Sequence, residues 1–225
     1  MSLQLASLNS GSNANCYYIG NDKNAVLIDA GLSCRETEKR MDRLGLDMRS
    51  VNALFITHEH HDHVSGLPSL IKKYRWPVYL TQGTLQHLPV PIDTAHARII
   101  LSGQETGIGT LNVLSFPKNH DAADPISIIV SCGILRVGVM TDIGHCCKEV
   151  KRHFEECHAV FLESNYCEDM LSSGNYPESL KRRISGKKGH LSNDQALELF
   201  KKHRSPALQH LILSHLSRNN NTHEK

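Results

Sequence analysis

The sequence has no apolar run close to the roughly 20 residues that a bilayer-spanning helix needs, and its first residues do not form a basic and apolar export signal. Aromatic residues make up only 5% of its 225 residues, and the formal net charge is only +2 when the histidines are neutral. Few rings are therefore available to stack on unpaired bases, and the overall field is too weak to indicate a nucleic-acid partner. These absences exclude a membrane-spanning protein and predict a globular protein of the cytoplasm.

The cysteines lack the arrangement of a disulfide framework or of a cysteine-rich zinc site. Their number is odd, and no two of them form a C-x-x-C pair. The seven are Cys16, Cys34, Cys132, Cys146, Cys147, Cys157 and Cys167. We expect all of them to be reduced thiols without a role in metal binding.

Short apolar runs typical of strands alternate with segments of helical period along the chain. The strand-like runs are AVLIDAG, ALFIT, ISIIVS, ILRVGVMTD, AVFLES and LQHLILSH, and the helical segments are CRETEKRMDRLGL, LPSLIKKYR, CKEVKRHFEEC and SNDQALELFKKHR. Strand-rich regions flanked by helices in both halves predict an α/β (α+β) protein in which two mixed sheets pack face to face with helices outside, a four-layer αββα sandwich. No linker interrupts residues 1–225, so we expect one domain.

Helix ends can be predicted at two places. Ser33 and Glu36 form an S-x-x-E capping box, and the helix that follows should carry Thr37, Met41 and Leu44 on one face before Gly45 interrupts the pattern. Ser192 or Asn193 is expected to be the N-cap of the last helix, because both residue types accept hydrogen bonds from free backbone N–H groups.

The densest polar stretch is THEHHDHVSG (57–66), which directly follows the apolar run ALFIT. His58 and His60 are two residues apart, so on an extended segment both side chains point to the same side and can bind one metal ion. Asp62 and His63 then turn towards a second metal ion. Neutral imidazole and ionised carboxylate are ligands that zinc and similar metals prefer. The stretch therefore predicts a metal centre rather than a histidine-rich surface loop.

The H-x-H-x-D-H pattern after an apolar strand and a threonine resembles the metallo-β-lactamase superfamily. That pattern also requires a later histidine, aspartate and histidine at strand ends, and FPKNHDAADP, VGVMTDIG and LILSHLS supply His120, Asp142 and His215. The resemblance implies that a first metal ion is held by His58, His60 and His120, that a second is held by Asp62, His63 and His215, and that Asp142 bridges them. It implies two divalent cations as cofactors, with zinc favoured and manganese or iron as alternatives.

Segments along nearly the whole chain resemble the YycJ/WalJ-type members of this superfamily. They are SLNSGSNANCYYIG, IDAGLS, NHDAADP, LESNY, GHLSN and HLSRNNNT. The resemblance implies an exonuclease-like hydrolase that acts on DNA, with Ser10 and Ser12 beside the metals as substrate contacts, although an ordinary turn between two strands explains this serine loop equally well. Relatives of this type extend beyond HLSRNNNT, so the C-terminal elements are expected to be short.

A basic segment, LKRRISGKKGH, leads into GHLSN. A charge run is often only a solvated face, but here it precedes a histidine and a helix start, which together could receive a phosphate group. We therefore predict substrate contacts at Lys187, Lys188, Ser192 and Asn193, and we predict that His190 contacts the phosphate or protonates the leaving group.

The sequence as a whole predicts a metal-dependent phosphodiester hydrolase, a DNA exonuclease in which a metal-bridging hydroxide is the nucleophile. Asp62 would orient this hydroxide in addition to binding metal, and His190 would be the second catalytic residue. DNA is favoured over RNA as the partner. One alternative is a hydrolase of the same fold that acts on a thioester or other small ester. Another is a DNA-binding module with a structural metal.

Overall fold

The computed structural model describes residues 2–222 and 224–225. The first sheet has the order β1-β2-β3-β4-β5-β6 and belongs to the N-terminal half of the chain. Its strands are β1 (Gln4–Asn9), β2 (Cys16–Gly20), β3 (Ala25–Ile28), β4 (Val51–Phe55), β5 (Val78–Leu80) and β6 (Ala97–Ile99). The pairs β1–β2 and β2–β3 are antiparallel, whereas the three pairs from β3 to β6 are parallel.

The second sheet has the order β12-β11-β10-β9-β8-β7 and belongs to the C-terminal half. Its strands are β7 (Glu105–Ile108), β8 (Leu111–Pro117), β9 (Ile126–Cys132), β10 (Leu135–Met140), β11 (Ala159–Glu163) and β12 (His210–Ser214). The three pairs from β7 to β10 are antiparallel, and the pairs β10–β11 and β11–β12 are parallel. Both sheets are therefore mixed, as the sequence predicts.

The α-helices of the described residues lie mainly in the connections between parallel strands. They are α1 (Cys34–Arg43), α2 (His61–Val64), α3 (Leu67–Tyr74), α4 (Gln82–His87), α5 (Lys148–Phe154), α6 (Glu168–Ser173), α7 (Glu178–Ile184) and α8 (Asn193–His203), with short 3-10 turns at Met48–Ser50 and Thr94–His96. None of the helices in the described part of the chain is long and apolar enough to span a bilayer.

Three clusters of buried apolar side chains separate four layers. The central cluster lies between the sheets and includes Tyr17 and Phe55 from the first sheet and Phe161 from the second. The second cluster packs α1 and α3 on the outer face of the first sheet, and the third packs α5 and α8 on the outer face of the second. Apolar alternation along the strands supplies both faces of each sheet, and the αββα sandwich is confirmed.

The two predicted helix starts are found, and of the three residues predicted to share one face of α1, Thr37 and Met41 are buried whereas Leu44 is not. The Ser33 side chain accepts a hydrogen bond from the N–H of Glu36 at the start of α1, and Ser192 rather than Asn193 is the N-cap of α8. Leu44 is 55% exposed. It is the C-cap of α1, and Gly45 follows in the left-handed conformation with φ 67°, so the chain leaves the helix before Leu44 can pack.

Three strand ends carry residues in the left-handed backbone region, which is uncommon for residues other than glycine. Asp29 directly follows β3 with φ 63°, Asp142 lies two residues beyond β10 with φ 55°, and His215 directly follows β12 with φ 58°. Strained backbone conformations of this kind are found mainly at functional sites. They turn the chain sharply at the carboxyl ends of parallel strands, where the predicted metal ligands lie.

Candidate metal centre

The first group of predicted ligands is a triad of histidines, His58, His60 and His120. The first two follow β4 on an extended stretch, and His120 lies in the loop after β8. Nε2 of His58 and Nε2 of His120 each lie 3.2 Å from Nδ1 of His60. The ligand atoms of the triad all lie within 4.8 Å of one another, so one cation can contact all three.

The second triad consists of Asp62, His63 and His215. Helix α2 begins directly after His60 and turns the next ligands away from the first triad. Oδ2 of Asp62 lies 3.4 Å from Nε2 of His63 and 3.8 Å from Nε2 of His215. The second triad thus combines two residues of the histidine-rich loop, residues 57–66, with one residue from the end of β12.

Asp142 lies between the two triads. Its Oδ2 is 3.3 Å from Nε2 of His63, and its Oδ1 is 3.4 Å from Nε2 of His215 and 3.8 Å from Nε2 of His120. A carboxylate in this position can serve both triads, as the family resemblance leads us to expect. All seven predicted ligands are brought together in this structure.

The donor set fits divalent cations. Oδ2 of Asp142 and Nε2 of His215 are buried and make no hydrogen bond to any group of the described residues. Buried polar atoms without a partner are costly, and here both are predicted ligand atoms. Imidazole nitrogens and carboxylate oxygens in two groups of three match the preferences of zinc-like metals.

Neighbouring groups hold the Nδ1 atoms of His58 and His120, the two buried histidines of the first triad. Nδ1 of His120 donates to the carbonyl oxygen of Gly189 at 3.1 Å, and Nδ1 of His58 lies 2.9 Å from Oγ1 of Thr57. The Thr57 hydroxyl donates to the Asp29 carboxylate, so it accepts from His58. Both imidazoles therefore direct the lone pair of Nε2 towards the centre.

Asp29 is a fully buried carboxylate that fixes the histidine-rich loop. It accepts hydrogen bonds from the N–H and the hydroxyl of Thr57 at 2.8 and 3.0 Å, and its Oδ2 lies 2.7 Å from Nδ1 of His63. The sequence contains a signal for this residue, since IDAG places an aspartate directly after an apolar strand, but Asp29 was not among the predicted site residues.

Glu163 plays the corresponding role in the second sheet, where it ends β11 and is fully buried. Its Oε1 lies 2.8 Å from Nδ1 of His190 and 3.3 Å from Nδ1 of His215, and its Oε2 accepts from the N–H groups of Ile143 and Leu191 at 2.6 and 3.1 Å. Glu163 belongs with Asp142, His190 and His215 to a group whose ligand atoms lie within 4.8 Å of one another, but the protein engages both of its oxygens, which favours a role in orienting the two histidines. His190 also lines a cavity of about 300 Å³ that opens over the two triads.

Without a cation, the two triads differ in protonation. Burial lowers the pKa of His58 well below its usual value and lowers the pKa of His120 to about 4. Burial also opposes protonation of His63 and His215, but the carboxylates around them prevail. Asp29 and Asp142 raise the pKa of His63 well above its usual value, and Asp142, Asp62 and Glu163 raise that of His215 to about 10.

The serine loop is tied to the metal ligands through Asn15 and Ser10. The Asn15 amide is fully buried, and its Nδ2 donates to Oδ2 of Asp62 and lies 3.0 Å from Nε2 of His63. The Ser10 hydroxyl accepts from the N–H of His215 at 2.7 Å. Ser12 is exposed and lines the cavity. Ser10 therefore holds a ligand in place, while Ser12 is free to meet a substrate.

A cavity of about 300 Å³ opens over the two triads. Among the residues that line it are Ser12, Asp121, Tyr176, Arg183, His190 and Ser217. Nε of Arg183, on α7, donates to Oδ2 of Asp121 at 2.6 Å, and Oδ1 of Asp121 lies 3.5 Å from Nε2 of His120. This ion pair is located at the side of the cavity and places one guanidinium beside the metal centre.

The structure corrects two of the predicted substrate contacts. Ser192 is fully buried, and its hydroxyl accepts from the N–H of Gln195 and donates to Glu168. The Asn193 amide is engaged by Ser164 and Asn221. Both residues build the start of α8, because an N-cap side chain must turn back to its own helix, and neither lines the cavity over the metals.

The two predicted lysine contacts lie outside this cavity. Lys187 and Lys188 are exposed in the loop between α7 and His190, and the backbone carbonyl of Lys187 accepts from Nδ1 of His145. The loop backbone is therefore fixed while both ammonium groups face solvent. Of the lysines and arginines in the basic segment, Arg183 is the one that lines the cavity.

The fold and this centre define a protein of the β-lactamase superfamily. A model of the β-lactamase superfamily domain matches residues 24–216, and the chain belongs to that family. It is 35% identical to exodeoxyribonuclease YycJ of Bacillus anthracis over its whole length and 86% of that protein, and 29% identical to exodeoxyribonuclease WalJ of Streptococcus pneumoniae over 96% of this chain and 82% of that protein. The crystal structure of the metallo-β-lactamase fold protein YhfI from Bacillus subtilis matches 99% of this chain and 89% of its own, with a TM-score of 0.75 and 14% identity.

Proposed function

We propose that this protein is a metal-dependent phosphodiester hydrolase that acts as a DNA exonuclease. The observation that carries the proposal is the seven-ligand centre, with the Glu163–His190 pair beside it, in a chain related over its whole length to exodeoxyribonuclease YycJ. Two divalent cations would be held, with zinc favoured and manganese or iron as alternatives. A structural metal alone would not require a histidine oriented by a buried carboxylate at the wall of an open cavity.

The residues divide the work of hydrolysis. Two cations held by the triads would supply a hydroxide nucleophile at neutral pH and would offset the charge that develops on the phosphate. Asp62 belongs to the second triad, and its Oδ2 also accepts from Asn15 at 3.0 Å. This hydrogen bond fixes the carboxylate in the position from which it can orient an attacking water molecule.

His190 is suited to hold and deliver a proton at the cavity. Its Nδ1 is held by Glu163 at 2.8 Å, so Nε2 is the nitrogen left for the substrate, and the side chain is 23% exposed. A carboxylate that accepts from one ring nitrogen fixes the orientation of the imidazole and of its second nitrogen. In this role His190 contacts the phosphate and protonates the departing oxygen.

The positive groups around the cavity support a nucleic-acid substrate. Arg183 lines the cavity itself, and the exposed side chains of Lys187 and Lys188 precede His190 by three and two residues, respectively. Guanidinium and ammonium groups contact phosphates without reading base sequence. This arrangement suits a DNA backbone better than a small thioester, which would gain nothing from the outer lysines.

The first experiment measures turnover of end-labelled single-stranded and double-stranded DNA and RNA by protein reconstituted with zinc, manganese or iron. We expect release of mononucleotides from DNA ends. His190→Ala should lower kcat by roughly 100-fold or more with a small change in KM, because a group that donates a proton acts in the transition state. His203→Ala is the matched control, since His203 pairs with Glu155 outside the site.

The second experiment tests how DNA is held. Reversing the charges of Lys187 and Lys188 to glutamate should weaken DNA binding for all sequences and reduce the slope of log affinity against log salt, while metal content stays the same. Reversal of the exposed Lys23 and Lys72 serves as the control. A wild-type protein that cleaves neither DNA nor RNA but hydrolyses a thioester would replace the proposal by the small-ester alternative.

A further inference from the structure

A second cavity of about 320 Å³ adjoins the one over the metals. It lies between the loop of residues 9–13, which precedes β2, and the loop of residues 216–219, which follows β12. Ser12, Tyr176 and Ser217 line both cavities, so they form the wall that the two share. A group bound beside the metals can therefore extend directly into the second cavity.

The loop on one side of this cavity has a fixed shape. Gly11 has φ 131°, a conformation that other residues rarely adopt, and its N–H donates to Oδ1 of the buried Asn15 at 3.0 Å. On the opposite side, the Arg218 guanidinium lies against the Asn13 amide, and with that amide turned so that its oxygen faces the guanidinium, Arg218 donates to it over 2.9 to 3.3 Å. The two loops are thus joined at the far end of the cavity, which is preformed in the free protein.

The lining indicates the kind of group that fits. Hydroxyl and amide groups of Ser12, Asn13 and Asn219 alternate with the apolar side chain of Leu216. The carboxylates near the metals do not line this cavity, and its guanidinium is already engaged by Asn13. A neutral planar group with hydrogen-bonding edges matches this lining better than a second phosphate does.

Tyr176 is placed to receive the face of such a group. Its hydroxyl accepts from Nδ2 of Asn219 at 2.7 Å, which fixes the ring at the shared wall. The ring is half-buried and, within the described residues, it stacks on no other aromatic ring. Aromatic side chains that are held in place and open on one face are stacking platforms for nucleobases.

We infer that the second cavity binds the nucleoside next to the scissile phosphate, with its base stacked on Tyr176. This inference rests on the proposed nuclease function and extends it, since it assigns a binding site for the base. The volume lies at the lower end of the roughly 300–1,000 Å³ of small-molecule sites, which suits a single nucleoside. Hydrolysis next to a single bound nucleoside releases one nucleotide at a time, as an exonuclease does.

The test compares single-stranded oligodeoxynucleotides that carry one abasic residue at the terminal or the penultimate position. For the wild type, loss of the base at one of these positions should lower kcat/KM by about tenfold or more, because base–aromatic stacking is lost. Tyr176→Ala should abolish this difference between normal and abasic DNA. Tyr176→Phe should retain it, since the ring is kept.

Tyr74→Ala is the matched control, because it removes a ring that packs on Trp76 in the helical layer of the first sheet. It should keep the full preference for the normal base. Equal cleavage of normal and abasic DNA by the wild type, or an unchanged preference in Tyr176→Ala, would overturn the inference while leaving the nuclease function intact. A second readout compares the affinity of the protein for a deoxynucleoside monophosphate with its affinity for deoxyribose phosphate, measured without turnover. Absence of any DNA cleavage by the wild type counts against the proposed function instead.

Discussion

The two triads of the centre are built alike but differ in charge. Each takes two ligands from the histidine-rich loop and one from a distant strand end. The first triad contains only histidines, and burial keeps His58 and His120 neutral. The second contains Asp62 and lies among further carboxylates, which keep His63 and His215 protonated in the absence of metal. Neutral imidazole is the form that binds metal.

This difference shows how one site can hold together before metal arrives. The ion pairs of His63 with Asp29 and of His215 with Glu163 offset the burial of three carboxylates, Asp29, Asp142 and Glu163, which would otherwise repel one another. A divalent cation bound at the second triad would replace these protons. The first triad needs no deprotonation to bind a cation, whereas binding at the second would release protons and would therefore depend more strongly on pH.

The largest effect is expected from the residue that the triads share. Asp142→Asn keeps the left-handed backbone, which asparagine tolerates, but it removes the negative charge between the triads. Metal content should fall and turnover should drop on the order of 10³-fold, since the cations supply several kcal/mol of transition-state stabilisation. Elemental analysis and steady-state kinetics are the measurements, with the exposed Asp22→Asn as control. Full metal content with normal turnover would contradict the bridging position.

Smaller losses of metal affinity and activity are expected when the groups that hold the histidines are changed, and these losses should differ between the two triads. Glu163→Gln weakens the support of His215 and His190, so metal affinity or activity should fall by about 10- to 100-fold, and the pH–rate profile should shift. Thr57→Val removes the hydroxyl that accepts from His58 and should lower metal affinity by a similar factor or less without shifting the profile, because His190 is untouched. Identical pH–rate profiles in the two variants would contradict the role assigned to Glu163.

In the metal-free protein, the ionisation of Glu163 and His215 should make the free energy of unfolding depend on pH. Glu163 has its pKa lowered from 4.5 to about 2, mainly by His190 and His215 against the effect of burial, so its contribution is full above about pH 4.5 and is lost as pH falls towards 2. His215 has its pKa raised from 6.5 to about 10, so its contribution is full below about pH 6.5 and is lost as pH rises towards 10. Thermal unfolding after chelation should give the highest Tm between these limits. A Tm that rises steadily above pH 7 would contradict this prediction.

The smallest effect is expected at the adjacent cysteines. Cys146 and Cys147 lie between Asp142 and α5, yet no cysteine belongs to a ligand group of the described residues. Burial raises the pKa of Cys146 to about 12, so its thiol stays protonated and is a poor metal ligand. Replacing both by serine should leave metal content unchanged by elemental analysis. Loss of metal from a folded double variant would show that the ligand set is incomplete.

Four of the seven predicted ligands can be recognised because they lie close together in the sequence. His58, His60, Asp62 and His63 lie within six positions after an apolar strand, and that spacing alone places them together. His120, Asp142 and His215 required the resemblance to a family, because 62 or more residues separate the first ligand from each of them. The αββα sandwich followed from the alternation of strand and helix patterns, which depends on local periodicity.

Other residues had a local signal that was not sufficient. Asp29 and Glu163 also end apolar strands, but the sequence does not distinguish a carboxylate that binds metal from one that holds the histidine behind it. The GHLSN segment suggested phosphate contacts at Ser192 and Asn193, yet in the structure both serve the start of α8. A cap and a ligand contact use the same residue types, so the direction of the side chain decides.

By itself, the sequence determined the sandwich, the loop that supplies four ligands, and the residue types that favour a divalent metal. Only the tertiary structure decided that Asn15 reaches Asp62, that Arg183 pairs with Asp121 at the cavity, and that Tyr176 separates two cavities. The physical reason is that the first set of features depends on local sequence, whereas the second depends on long-range packing. Periodicity and short spacing are fixed by covalent geometry. In contrast, Asn15 and Asp62 are 47 residues apart and Arg183 and Asp121 are 62 residues apart. Contacts over such separations depend on how the sheets and loops pack.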